Sequence, residues 1–394
     1  MSPSASRPGR TGNIVVVGNP DGRRVELFQA ALCRLGLPPA CTVAYTDLLA
    51  GRRVLPEVVR EGDIVRIESP GKDWAVEQAL LVAGADLVDR SRFEHLPREA
   101  ILRMPFDRGR ILPSRQWYRG WCALLQTVAH QLRECPPHRL MLSPDDIAIM
   151  FDKPACHARL QAAGIAVPPS LGEVDSFHAL AARMESLKWP RVFVKLAHGS
   201  SASGAVALET SRERMQAFST VEVVESSDGL TLYNSRRLQT YRRPAEIARL
   251  IDALCRHRIH VERWLPKAGI AGRTFDLRVV VIAGQARHVV VRMSRGPMTN
   301  LHLLNARGDI DAVAARMGVD AWAAARETCE HAMACFPDSL YGGIDLLVEP
   351  GYRRHAVLEV NAFGDLLPDV VWQGQDTYMA EVNAMQHVEA GVSV

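Results

Sequence analysis

Three oxygen-bearing side chains late in the chain are spaced as a metal site would need them. Tyr341-Gly342-Gly343-Ile344-Asp345 and Ala356-Val357-Leu358-Glu359-Val360-Asn361 flank a turn at Glu349-Pro350-Gly351 and read as the arms of a β-hairpin. Side chains alternate between the two faces of a strand, so Glu359 and Asn361 share one face, and Asp345 can lie opposite them on the neighbouring strand. Two carboxylates and an amide isolated among apolar residues form a hard-oxygen set suited to magnesium held partly by phosphate. The plainer alternative, an acid satisfied by an arginine, suits one isolated carboxylate better than three polar groups at sheet spacing.

Positive charge for a phosphate comes from upstream. Lysine is scarce here: Lys72, Lys153, Lys188, Lys195 and Lys267 are all there are, the remaining cations being arginine. Arg191-Val192-Phe193-Val194-Lys195 is a strand ending in a lysine, and a loop containing His198, Gly199, Ser200, Ser201, Ser203 and Gly204 follows. Glycine and serine allow backbone N–H groups and hydroxyls to approach a polyphosphate closely, and Lys195 would neutralise its charge. The lysine precedes the loop instead of closing it, so this is not a P-loop. A solvent-exposed hairpin turn with a surface lysine is the alternative. Between these segments, Glu262, Arg263, Trp264 and Leu265 read as a strand end whose backbone could grip a nucleobase edge. Asp276 and Arg278 share a strand face, Arg292 follows on the next strand, and Thr299-Asn300-Leu301-His302 lies beyond. Arg278 and Arg292 can converge on the acidic cluster; a surface salt bridge between Asp276 and Arg278 is the bland reading.

The elements that must carry these groups follow from periodicity. Residues 13–18, 41–45 and 63–67 read as strands, alternating with helical patterns at 22–35 and 74–83, which implies a parallel sheet covered by helices. Residues 1–138 are taken as a Rossmann-like domain, with 1–12 a disordered lead-in. Its Gly18-Asn19-Pro20-Asp21-Gly22 lacks the full dinucleotide fingerprint, which argues against a nicotinamide cofactor. Within 91–138 a helix fits 117–132; its Trp117, Tyr118 and Trp121, with Arg115 and Arg119, either line a substrate pocket or form a buried helix face. Pro136-Pro137 breaks the chain. Ser143-Pro144 starts a helix, with serine as cap, and a second begins near Pro154. Strands are expected at 191–196, 204–209, 230–240, 258–265, 275–283, 286–294, 341–349 and 354–361, and helices at 176–187, 211–218, 245–256 and 311–335. That is an α+β arrangement with mostly antiparallel sheet.

Composition narrows the class. The 394 residues carry 47 basic and 44 acidic groups, near balance, so nothing calls for nucleic acid or a membrane surface. No apolar run approaches the roughly 20 residues that span a bilayer, and the opening residues lack the apolar core of a signal peptide. A cytoplasmic location is expected. The eight cysteines form no CxxC pair and read as free thiols, with Cys329, His331 and Cys335 the weak case for a metal.

In this order, the motifs resemble the ATP-grasp superfamily over residues 143–365, closest in flavour to ribosomal-protein glutamate ligases. The resemblance implies an N-terminal Rossmann-like domain (1–138), a small or lid lobe with linking helices (139–265) and a large lobe with the magnesium site (266–394). It implies ATP and Mg2+ as cofactors. Lys153, in Phe151-Asp152-Lys153-Pro154, matches the first ATP-binding lysine and Lys195 the second, on the strand before the flexible 199–204 phosphate loop. Glu262–Leu265 match the hinge that holds adenine. Arg278, in Asp276-Leu277-Arg278, matches an arginine that reaches the transferred phosphate, with Arg292 and Asn300 of the Asn-Leu-His segment as further catalytic candidates, and Asp345, Glu359 and Asn361 match the magnesium ligands. The implied activity is ATP-dependent joining of a carboxylate to an amine through an acyl phosphate, on small-molecule or peptide substrates; a homodimer is compatible. A kinase-like phosphotransferase, with His302, Asp276 or His198 as base, and a non-catalytic nucleotide-binding protein are the alternatives. One departure stands out: Leu304 occupies a position where related ligases carry glycine.

Overall fold

The computed structural model describes residues 12–388 apart from 212, 213 and 228. The expected lead-in therefore lies outside the described residues, Gly12 excepted. The first sheet is built on Ile14–Gly18 (β1), an apolar run buried at every position. It pairs in parallel with Cys41–Ala44 (β2) and Ile64–Ile67 (β3), and Arg139–Leu140 (β4) adds to β3, giving the order β2-β1-β3-β4. Parallel strands need crossovers. Here these involve the helices Arg23–Arg34 (α1), Tyr45–Leu49 (α2), Trp74–Gly84 (α3), Arg98–Arg103 (α4) and Ser114–Glu134 (α5). In α1, Val25, Phe28, Ala31 and Leu32 fall on one buried face at helical spacing. α3 and α5 cross with their backbones almost touching: a Cβ on Gly84 would lie 2.0 Å from the Gln116 carbonyl oxygen, and one on Gly120 would lie 1.9 Å from that of Leu80. The aromatic residues of α5 form a buried helix face. Trp121 is fully buried edge-on to Tyr45, and Trp117 stacks on Trp121 and Phe151.

Two linking helices follow, Pro144–Met150 (α6) and Lys153–Ala162 (α7). The expected serine cap is corrected here. The Ser143 side chain makes no capping bond, while its N–H donates to Ser339 Oγ at 3.2 Å. α7 is the properly capped helix: Asp152 accepts from the Ala155 N–H at 3.1 Å.

The small lobe has Phe177–Ser186 (α8), Arg191–Leu196 (β5), Val206–Thr210 (β6), Met215–Ser226 (β7), Gly229–Tyr241 (β8), Pro244–Cys255 (α9) and Ile259–Arg263 (β9). Its sheet runs β8-β7-β6-β5-β9, antiparallel throughout. The helix expected at 211–218 is instead the start of β7, with 212 and 213 outside the described residues. The charged Ser211-Arg212-Glu213-Arg214 imitates a helix start, but Ala217, Ser219 and Val221 are buried at a spacing of two, the strand period.

The large lobe holds Gly269–Ile270 (β10), Arg273–Ile282 (β11), Gln285–Ser294 (β12), Ala306–Gly308 (β13), Ile310–Met317 (α10), Val319–Ala334 (α11), Tyr341–Val348 (β14), His355–Asn361 (β15) and Thr377–Val388 (α12). The sheet order is β13-β12-β11-β14-β15, with β10 beside β11. The single helix expected at 311–335 is broken at Gly318, whose φ of +82° an α-helix cannot accommodate. The first sheet and the large lobe share one continuous apolar core, while the small lobe has its own. The first sheet and the large lobe thus form a common frame, which the small lobe meets through a third apolar cluster of Ala205, Ala207 and Met298.

Candidate active site

Sheet register assembles the acidic cluster. Asp345 on β14 is the direct partner of Glu359 on β15, and Gly343 is the partner of Asn361. A bulge sits beside Asp345: Glu359 and Val357 pair in succession, leaving Leu358 over. Such an irregularity re-aims side chains next to functional sites. On the other side of β14, Arg278 of β11 is the partner of Asp345, and Asp276 is in turn the partner of Arg292 on β12. Direct partners point to the same side of a sheet. Asp276, Arg278, Arg292, Asp345, Glu359 and Asn361 therefore crowd one face. The opposite face is sealed by α11, with Met333 against Gly342.

Every carboxylate of the cluster rests on a cation. Arg278 Nε donates to Asp345 Oδ1 at 2.5 Å, and Arg292 Nη1 approaches Asp345 at 3.1 Å. Arg292 Nε donates to Asp276 at 2.7 Å, and Lys267 Nζ donates to Asp276 at 2.8 Å and to Thr299 Oγ1 at 2.7 Å. The surface salt bridge considered for Asp276 and Arg278 is not what forms; each takes a different, buried partner. Burial opposes ionisation of Asp345, but the charges of Arg278 and Arg292 outweigh it and hold the carboxyl below its ordinary range. Asp276 is likewise held down against burial by Arg292 and Lys267.

The two lysines come from outside the large lobe. Lys153 opens α7 and donates from Nζ to Glu359 Oε1 at 2.6 Å and to the Gly199 carbonyl at 2.7 Å. It thereby ties the large lobe to the small-lobe loop. Lys195, near the end of β5, is ion-paired with Glu262 of β9. Burial alone would lower the Lys195 pKa; Glu262, then Glu359 and Asp345, raise it instead, which places the ammonium within the field of the acidic cluster.

The 199–204 loop is tightly folded. Ser201 and Ala202 adopt φ of +54° and +60°, and Gly204 has +65°, where a Cβ would lie 2.3 Å from the Leu196 side chain. Two consecutive non-glycine residues in the left-handed region concentrate strain, which surrounding structure must hold in place. Ser203 N–H donates to the Ser200 carbonyl at 2.8 Å, and Thr220 Oγ1 of β7 donates to the Ala202 carbonyl at 2.7 Å.

At the hinge, only part of the Glu262–Leu265 segment remains open. The N–H groups of Arg263 and Trp264 donate to the Pro169 and Arg191 carbonyls, at 2.8 and 3.1 Å. The exposed Arg263 side chain leans over Trp189, and Trp264 packs on Phe193 with ring centroids 5.1 Å apart. Glu262 Oε2 is buried with no hydrogen-bond partner among the described residues. Asn300 opens a short turn at 301–303, its carbonyl accepting from Leu303 N–H and Asn305 Nδ2, both at 3.0 Å. Leu304 closes that turn with φ of +62°, 74% exposed. The left-handed backbone that glycine would supply is thus kept, with a leucine in it.

The donor chemistry fits a divalent cation together with a polyphosphate. Glu359 and Asn361 are only partly buried, their oxygens are hard ligands, and four cations, Lys153, Lys195, Arg278 and Arg292, lie next to them. Sequence reasoning assigned no role to Lys267, although its rarity as one of five lysines was a usable signal.

No protein-family model matches the chain, and no curated protein matches it in sequence. In three dimensions the chain has the fold of the ATP-grasp ligases. It is similar to D-cycloserine synthetase DcsG, at 13% identity over 95% of this chain and 99% of that one, with a TM-score of 0.54. The N5-carboxyaminoimidazole ribonucleotide synthetase purK, solved as its ADP complex, aligns at 11% identity over 95% and 76%, TM-score 0.54. The macrocyclase MdnC of Microcystis aeruginosa MRC, solved with its precursor peptide MdnA, aligns at 12% identity over 96% and 100%, TM-score 0.52.

Proposed function

We propose that this chain is a magnesium- and ATP-dependent ligase that activates a carboxylate and joins it to an amine. One observation carries the reading. Four cations from four elements rest on carboxylates: Arg278 and Arg292 on Asp345 within the large-lobe sheet, Lys195 on Glu262 within the small-lobe sheet, and Lys153 of α7 on Glu359 of β15. A triphosphate and its metal would satisfy both sets at once, with cations moving to phosphate oxygens and carboxylates to metal.

In this reading Asp345, Glu359 and Asn361 would hold Mg2+, which would supply charge neutralisation for the phosphates. Lys153 and Lys195 hold the phosphates, the 199–204 loop closes over them, and the Leu265 amide, which makes no hydrogen bond among the described residues, reads the base edge. Attack of a carboxylate on the γ-phosphate brings two anions together. Arg278 and Arg292 oppose that repulsion with positive charge fixed in advance by the sheet. The resulting acyl phosphate is attacked by the amine, giving an amide and phosphate; the nucleophile belongs to the substrate, so positioning is the protein's main contribution. Asn300, beside the cleft on its turn, is assigned to the substrate side. The N-terminal unit, residues 1–138, serves as the Rossmann-like partner of the small lobe (139–265) and large lobe (266–394). Its sheet shares the large lobe's core, which supports a substrate cleft formed jointly by the two.

Transfer to a hydroxyl would need a base at the acceptor. Asp276 is fully engaged by Arg292 and Lys267, and His198 is wedged between arginines, so neither is free to take a proton; His302, whose pKa burial and the charges of Lys72 and Arg278 lower, is the base a phosphotransferase would have to use. A screen of acids with hydroxylamine as the amine tests the ligase reading: an ATP- and Mg2+-dependent hydroxamate is expected. ATP turnover on an accepted acid that yields no hydroxamate contradicts the acyl phosphate.

A further inference from the structure

His198 immediately precedes the phosphate loop, yet it points away from the cleft and into the frame. Its ring is buried and lies flat on Tyr118 of α5, with centroids 3.9 Å apart and planes 8° from parallel. Arg115 Nη1, one helical turn before Tyr118, is 3.3 Å from His198 Nε2, and Arg258 Nη1 is 3.4 Å from the same atom. The other ring nitrogen, Nδ1, faces the Phe151 carbonyl at 3.3 Å. Guanidinium groups cannot accept, so Nε2 must be the acceptor and Nδ1 must carry the proton that goes to Phe151. A doubly protonated ring would set an N–H against two fixed cations. Burial, reinforced by the charges of Arg258 and Arg115, keeps the imidazole well below its ordinary pKa.

The surrounding contacts tie this ring to the lysine at the cleft. Lys153 N–H donates to the Ala197 carbonyl at 3.0 Å, and Ala197 N–H donates to the Arg258 carbonyl at 2.9 Å. Arg258 also pairs with Asp152, the cap of α7, at 2.6 Å. Lys153 Nζ then holds the Gly199 carbonyl on the far side of His198. Tyr118 is itself pinned, its hydroxyl donating to the Ala148 carbonyl at 3.0 Å. The root of a strained loop in the small lobe is thus seated on a helix of the N-terminal unit.

We propose that His198, with Arg115 and Tyr118 of α5, is a positioning device for the phosphate loop: a neutral imidazole of fixed tautomer that docks the loop's root on the rigid frame. This gives a role to the arginine and aromatic cluster of α5, which touches no phosphate-binding group. It rests on the nucleotide reading of the cleft.

The test is Mg-ADP affinity measured by calorimetry, with thermal unfolding as a control. His198→Phe keeps the stack on Tyr118 and removes both polar ends; an affinity loss of about tenfold is expected. His198→Gln retains an acceptor and a donor, and is expected to recover most of that loss. Arg115→Leu, on a half-buried residue away from the cleft, should weaken Mg-ADP similarly, and the double variant should lose much less than the product of the two, because both act through one contact. If His198→Phe does not fold, Arg115→Leu carries the test. Wild-type affinity in the folded single variants, or fully multiplicative losses, overturns the proposal while leaving the ligase reading intact. Failure of the wild-type chain to bind Mg-ADP overturns both.

Discussion

Two networks of charged side chains, similar in composition, sit on opposite sides of the segment that follows β15. In the cleft, Lys153, Lys195, Arg278 and Arg292 meet Glu359, Glu262, Asp345 and Asp276, and several of these side chains keep partial access to solvent: 13% for Lys153, 24% for Glu359, 19% for Arg278. Behind it, Arg66 of β3 has no exposed surface at all. It donates to Glu68 at 2.7 Å, to Asp365 at 2.6 Å and to Glu381 of α12 at 2.6 Å, with Phe28, Tyr341 and Tyr378 against its guanidinium plane. Arg24 of α1 joins from the edge, pairing with Asp365 at 2.7 Å and with the Phe363 carbonyl. The first network can exchange its partners for a ligand, because water and a ligand can reach it. The second cannot, because every replacement for a lost partner would have to come from the apolar core.

The buried network has a positional consequence for the cleft. Gly364, next to Asp365, crosses Gly343 so closely that a Cβ on either would lie about 2.5 Å from the other's backbone, and the Gly364 carbonyl accepts from Arg278 Nη1 at 3.3 Å. Arg66 and Arg24 therefore fix the chain that backs the arginine assigned to the transferring phosphate. Lone removal of one member of a buried pair leaves an uncompensated charge, which costs far more than the pair contributes. Arg66→Leu is accordingly expected to lower unfolding stability by about 3–5 kcal/mol in denaturant titrations. A change under about 1 kcal/mol would erase the contrast between the two networks. Glu381 should behave otherwise. Burial pushes its carboxyl well above the usual range and one of its oxygens has no hydrogen-bond partner among the described residues, which favours the neutral acid and leaves Asp365 and Glu68 to balance the two arginines. Glu381→Gln preserves that neutral state; its stability is expected within about 1 kcal/mol of wild type, and a loss as large as that of Arg66→Leu would mean the acid is ionised.

The smallest expected effect lies on the cleft side. Leu304 holds a left-handed backbone at the surface, a conformation costing a non-glycine residue about 1 kcal/mol. Leu304→Gly should raise stability by up to about that amount, less the entropy glycine adds to the unfolded chain. A clear decrease would show that the leucine side chain has a partner.

The cleft was legible in the sequence because sheet chemistry is local. Spacing of two puts Glu359 and Asn361 on one face, and a short turn makes Asp345 their neighbour. The strand–lysine–loop order around Lys195 was equally readable, and α7 and β5 fall where periodicity put them. What escaped depends on distance in sequence. Arg66 and Glu381 are 315 residues apart, and no pattern within either segment announces their pairing. The Tyr118–His198 stack is of the same kind, so the α5 aromatics could be read as pocket or packing with equal ease. β7 was mistaken for a helix because four polar residues at its start resemble a helix opening, while the alternation that identifies the strand begins only after them.

If Glu359 exchanges Lys153 for a metal when nucleotide arrives, calorimetry of ATP binding with and without Mg2+ reads that exchange. In the wild-type chain Mg2+ should tighten ATP binding by at least about tenfold. In Glu359→Gln the metal-free affinity should hold or improve, since Lys153 is released to the phosphates, and the gain from Mg2+ should vanish. A Glu359→Gln variant that keeps the full Mg2+ gain, or a wild-type chain that shows none, contradicts it.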